Sequence, residues 1–249
     1  MQTKQESKAR IKRLEKVWTP DAELLIPHEN EYVNFAYPSI GPNTYLNVGK
    51  QILEKNLQIP TGEQTTSLLY TAYFDDSIKD EPEFENIRNI MKDRWLWIFN
   101  RNLWTDKGVY VLPDFKAEGS SKNLNLNELE KMLNGGKDIN GIRFSEDEKV
   151  RFAPKKLYTL GEHTPDSLSK DGFVIASFGK EGAEKIGEVS SKFRRNPRTF
   201  GIDIEERKDP IQRVSTIGGS LGVGGLRFYG VSLEDNWSGD AFGVDNKTP

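Results

Sequence analysis

Residues 83–114 read EFENIRNIMKDRWLWIFNRNLWTDKGVYVLPD and hold three of the five tryptophans. Phe84, Ile87, Met91, Trp95 and Ile98 recur at three- and four-residue steps, the spacing of one helical stripe. Leu96, Trp97, Phe99 and Leu103 then put apolar groups on nearly every face, as in a helix buried on several sides. The reading is one long helix, closed by the turn Thr105-Asp106-Lys107-Gly108. Val109-Tyr110-Val111-Leu112 follows, apolar on both faces of a strand and so central in a sheet.

Before this stretch the signals are helical. Residues 3–17 suggest a short basic helix carrying Ile11, Leu14 and Val17, and Thr19-Pro20 opens a helical turn. Residues 27–42 read as an irregular segment between Pro27, Pro38 and Pro42, with Tyr32, Phe35 and Tyr37 lying flat on the core. Asn43 or Thr44 caps a helix to about Asn56, with Leu46, Gly49, Ile52, Leu53 and Leu57 inward. Thr61 and Gln64 make a capping box for the next helix, whose Thr65, Leu68, Leu69, Ala72 and Tyr73 share one face.

After it the signals alternate. Leu126–Leu133 reads as a helix stopped by Gly135-Gly136. Ile142–Phe152 reads as a hairpin turning at Ser145-Glu146-Asp147-Glu148, with Arg143 and Arg151 together on its exposed face. Thr164 and Pro165 start a helical turn. Phe173–Phe178 reads as a second central strand, broken by Gly179 and followed by a helix over Lys180–Phe193. Strands near 200–204, 211–217 and 226–233 complete the pattern, the last two flanking the glycine-rich loop 218–225.

The expected fold is α+β: an N-terminal helical layer over about 1–104, packed on a C-terminal mixed, mostly antiparallel sheet with two or three further helices. Because residues 83–114 straddle the boundary, one integrated domain over 1–249 is expected. Its strand-rich part covers about 105–233, and a loose polar tail covers 234–249, where Trp237 and Phe242 offer the apolar anchors.

Composition narrows function by exclusion. The net charge of -3 gives no global field for nucleic acid or an anionic membrane. The chain has no cysteine, which removes disulfides, thiol nucleophiles, iron–sulfur clusters and thiolate zinc. The basic run at 4–16 has no apolar segment behind it, and no window is apolar enough to span a bilayer. A cytoplasmic protein without membrane contact is the expectation.

Several residue sets carry chemistry. The strand-glycine-helix pattern at 173–182 has the outline of a phosphate cradle but matches neither GxGxxG nor GxxxxGK[ST]. His163, beside Glu162 at a helix start, is the better placed of two histidines, and no GxSxG elbow accompanies it. Asp75-Asp76, and Asp203 with Glu205 on one strand face, are the carboxylate pairs for a metal-assisted hydrolase or nuclease-like reaction. The glycine-rich loop beside Arg227 has the composition of an anion nest.

The densest positive patch is Lys192, Phe193, Arg194, Arg195 and Arg198, four cations within seven residues around an aromatic ring. The expected function is a non-enzymatic binding or interaction protein, with no cofactor and no metal. Its partner would be a nucleic acid, another polyanion or an acidic protein surface held by this patch. The carboxylate-based hydrolase is the alternative.

Overall fold

The structure is a computed structural model that describes residues 8–14, 21–204, 209–219, 224–235 and 237–246. In chain order it begins with β1 (Arg10–Arg13), β2 (Ala22–His28) and β3 (Glu31–Tyr37), then β4 (Ile40–Asn43). Three helices follow: α1 (Tyr45–Glu54), α2 (Gly62–Phe74) and α3 (Pro82–Asp93). Next come β5 (Trp95–Thr105), β6 (Gly108–Pro113) and α4 (Leu126–Leu133), then β7 (Lys137–Ile139), β8 (Ile142–Phe144), β9 (Arg151–Pro154) and β10 (Gly161–Glu162). The chain continues through α5 (Pro165–Ser169), α6 (Gly172–Ser190), β11 (Arg195–Phe200), β12 (Ile211–Gly219), β13 (Gly225–Val231) and β14 (Gly239–Ala241).

The strands form a three-stranded sheet, β1-β2-β3, and an eleven-stranded sheet whose main path is β10-β11-β13-β12-β5-β6-β9-β8-β7. β14 joins β5 to β4 off that path. This overturns the helical layer over 1–104 on a C-terminal sheet: among the described residues, five of the fourteen strands begin before residue 104, and the three early helices pack on sheet rather than on one another alone.

The decisive correction lies within residues 83–114. The helix stops at Asp93, because Arg94 adopts extended backbone (φ -138°, ψ -177°). Trp95–Thr105 is the central strand, paired with β6 on one side and β12 on the other. Its odd and even residues serve two different cores. Leu96, Ile98 and Trp104 face a large cluster with Leu24, Phe35, Leu68, Phe84, Phe173 and Phe228. Trp97 and Phe99 face a second cluster with Tyr45, Val48 and Ile52 of α1. A strand covered on both faces is apolar at every position, so its sequence shows no period and passes equally for a buried helix.

The same ambiguity explains Phe173–Phe178, which is the first half of α6 and not a strand. Asp171 caps it, its side chain accepting from the N–H groups of Phe173 and Val174. The break expected at Gly179 is present: its backbone is non-helical (φ 68°, ψ 174°) and divides α6 into two helical halves. The Pro-bounded segment 27–42 is not irregular: it supplies parts of β2 and β4 and all of β3, and Phe35 is fully buried. The described part of the basic N-terminus is strand β1, where Arg13 pairs with Glu81, just before α3, and with Glu83 in its first turn. Thr19-Pro20 lies outside the described residues.

The tail is not loose at 239–244. β14 pairs with β4 and β5, Asp240 is buried, and Val244 bridges to Phe35 and Gln58. Other expectations stand as read. Thr61 and Gln64 form a complete capping box, Asn125 caps α4, and Thr164 caps α5. The inward face expected for α1 is corrected: Gly49 and Ile52 are buried with Tyr45 and Val48, but Leu46 and Leu53 are exposed.

Candidate anion-binding site

The basic run 192–198 leaves the end of α6 and enters β11. Lys192 is exposed, with its ammonium 4.4 Å from the centroid of Phe74 in α2. Phe193 is half-buried and leans on Tyr73, the ring centroids 6.1 Å apart. Lys192, Phe193 and Arg194 line one concave site of about 440 Å³. Tyr73, Lys92 and Asp93 complete its wall, with Gly219 and Gly224 at its rim. The two glycines are the described ends of the glycine-rich loop, whose residues 220–223 lie outside the described residues. Two separate sequence signals, the cationic run and the glycine-rich loop, therefore meet in space.

Lys92 and Asp93 come from the last turn of α3, where a cation is favoured by the helix dipole. The Tyr73 hydroxyl is buried without a hydrogen-bond partner among the described residues. Burial pushes its phenol pKa well up, so it stays protonated and able to donate. The site thus offers three cations, one carboxylate, two aromatic rings and one unsatisfied donor.

Arg195 and Arg198 are exposed on β11, beyond this cavity. Arg198 pairs in register with Arg227 of β13 on one side and with Glu162 of β10 on the other. Both guanidinium groups stand over Phe200, which stacks on Tyr229 at 4.2 Å between centroids with 5° between planes. Arg227 also donates to the Tyr229 hydroxyl at 3.2 Å. Its Nε is buried and without a partner among the described residues. Among the described residues, Lys92, Lys192, Arg194, Arg195 and Arg198 enter no ion pair. Sequence reasoning missed Lys92 and Tyr73, which no local signal joins to the run.

The other expected sites come apart. His163 is buried, its Nε2 lying 2.9 Å from both the Thr159 carbonyl and the Thr199 hydroxyl. Asp171 near it is held by backbone donors, and burial raises its carboxyl pKa. The pair therefore fastens the loop before α5 to β11. The expected phosphate cradle at 173–182 is two helical halves meeting at Gly179 and not a strand-to-helix turn, and Arg151 pairs with Glu63 beside the break. Arg143 and Arg151 do not share a face: the register sets Arg143 opposite Phe152 and Arg151 opposite Phe144, each cation over its facing ring.

Among the carboxylates, Asp203 pairs with Lys155 at 3.2 Å, and Glu205 lies outside the described residues. Asp75 accepts from Ser77, and Asp76 pairs with Lys79. No cluster of three or more metal-ligating side chains occurs among the described residues. No described helix is long and apolar enough to cross a membrane.

No family model matches the chain, and no curated protein matches it. Among solved structures it is similar to one described as "Accommodation of massive sequence variation in Nanoarchaeota by the C-type lectin fold". The identity is 14%, over 84% of this chain and 97% of that one, with a TM-score of 0.45. A likeness at that level assigns neither family nor ligand. The site stands on its own geometry.

Proposed function

We propose that this protein is a binding protein for a polyanion, held along the run Lys192, Arg194, Arg195 and Arg198 and seated in the cavity that Lys92 and Tyr73 help to line. The observation that carries this reading is that every cation of the run lacks an ion-pair partner among the described residues. Like charges so close repel one another, and an anion relieves that repulsion. Phe193 lies among the charges and is only half-buried, so a single-stranded nucleic acid uses the site most fully, with phosphates on the cations and a base against that ring.

Such binding is weak and largely sequence-independent, with Kd on the order of 10⁻⁶–10⁻⁴ M at physiological salt. It weakens steeply as salt rises, because each neutralised phosphate releases a counterion. The test is fluorescence anisotropy with labelled single-stranded and duplex oligonucleotides, and with heparin as a polyanion lacking bases. The variant with Arg194, Arg195 and Arg198 all changed to Glu is measured in parallel. Preference for the single strand supports stacking, and equal binding of heparin reduces the site to charge alone. No binding at low salt, or unchanged binding in the variant, rules the reading out.

A further inference from the structure

Three residues distant in sequence meet at one hydroxyl: His28 at the end of β2, Ser67 in α2 and Lys185 in the second half of α6. Ser67 Oγ lies 2.9 Å from His28 Nδ1 and 2.9 Å from Lys185 Nζ. Close packing of the two helices produces the meeting. Gly182 has no side chain, and a Cβ there would stand 3.0 Å from Thr66 Oγ1. The helices close together at that level, so Lys185, one turn further on, reaches the residue next to Thr66.

The directions of the hydrogen bonds follow from chemistry. An ammonium group only donates, so Lys185 donates to Ser67 Oγ. The serine proton is then free to point at His28 Nδ1, which accepts it when the ring carries its own proton on Nε2. Burial lowers the His28 pKa below its ordinary 6.5, opposed by Glu29, so the imidazole is a neutral base at pH 7. Burial lowers the Lys185 pKa, opposed by Glu181 and Glu29, and its ammonium donates to the same hydroxyl. Ser67 and Lys185 also line a cavity of about 340 Å³, walled by Pro27, Tyr70 and Phe74 and rimmed by Glu29 and Glu181.

We propose that Ser67 is a nucleophile for acyl transfer from small neutral or cationic esters, with His28 as its base and Lys185 steadying the developing alkoxide. In the first step Ser67 Oγ bonds to the acyl carbon while its proton passes to His28 Nδ1. The bond from that carbon to the leaving oxygen breaks, and the leaving alcohol departs with the proton from His28. Water then attacks the ester by the same route, releasing the acid and restoring the serine. The acidic rim selects against anionic esters. This site is independent of polyanion binding, and its test stands whether or not that reading holds.

The probe is p-nitrophenyl acetate. Peptide mapping by mass spectrometry locates the acetyl group, and hydroxylamine separates a serine ester from lysine amides. The expected result is an ester on Ser67 in the wild type, forming about 100-fold more slowly in H28Q, the lower end of what a positioned base contributes. K185M slows it as well, and S67A carries none. Because S67A removes a buried hydrogen-bonding group, its fold is checked by circular dichroism. S67C, which keeps a nucleophile in place, should take the acetyl group on sulfur. Acetylation confined to amines, an ester at Ser67 that forms as fast in H28Q, or a folded S67C that takes no acetyl group would each overturn the proposal.

Discussion

Arg198 and Arg227 stand abreast on adjacent parallel strands, and their guanidinium carbons lie 5.5 and 5.8 Å from the centroid of the same ring, Phe200. Side-by-side like charges destabilise a sheet. The ring offsets part of that cost, since each cation–π contact at such a site contributes about 0.5–1 kcal/mol. Arg227→Gln should leave folding stability within about 0.5 kcal/mol while weakening oligonucleotide binding and lowering its salt dependence. Urea denaturation and an anisotropy titration across salt concentrations check the two halves.

Trp104 is fully buried, its ring 4.8 Å from Phe173 and 5.7 Å from Tyr158. Trp104→Ala should cost about 3–5 kcal/mol, the range for deleting a large buried aromatic. Trp95, at the half-exposed start of β5, should cost less, since its partners Tyr229 and Trp237 are themselves half-exposed. Chemical denaturation of both variants gives the ranking, and equal losses would contradict it.

Asp240 is buried between β4 and β5, with Ser39 donating to it at 3.2 Å and Arg94 3.6 Å away. Burial raises its carboxyl pKa above the ordinary 3.8, against the pull of Arg94 and Ser39. The native state therefore holds this proton more tightly than the unfolded chain. Its contribution to stability is complete below pH 3.8 and is lost as pH rises through the folded value. Asp240→Asn should flatten that fall, as measured by urea unfolding at a series of pH values. A profile unchanged by the substitution would show that other groups set it.

Thr61→Ala removes one half of the capping box that starts α2, where Thr61 Oγ1 accepts from the Gln64 N–H at 3.1 Å. The expected loss is about 1 kcal/mol. Thermal and urea unfolding measure it.

Truncation after Asp245 removes no described pairing of β14 and should be tolerated. Truncation after Ser238 removes β14 and exposes the edges of β4 and β5, and should prevent folding. Circular dichroism of the two shortened chains distinguishes them.

The legible parts of the fold were those specified locally. Thr61, Asn125 and Thr164 announce helix starts because a cap needs only four neighbouring residues. β12, β13 and the hairpin of β8 and β9 were likewise visible from turn chemistry and alternation. Trp95–Thr105 and Phe173–Phe178 were misread for one shared reason. Each is enclosed on all sides, so burial erases the period that separates strand from helix. Asp171 before Gly172 was the overlooked clue to α6, a capping side chain at its expected place. Of the candidate site, charge density in the sequence singles out Lys192, Arg194, Arg195 and Arg198. Lys92, Tyr73 and Arg227 arrive from other elements, as do the three partners at Ser67, and tertiary packing alone assembles them.

The pairing of Asn43 with Gly239 and of Ile40 with Ala241 sets a tempo for the molecule. β5, the strand on which both cores rest, takes one neighbour from residues 211–218 and another from residue 240. The β1-β2-β3 sheet closes locally, but the eleven-stranded sheet cannot, so the entropy of closing loops of a hundred residues and more must be met before the contacts that reward it form. Refolding from denaturant should accordingly run on the order of milliseconds to seconds, slow beside a helical bundle.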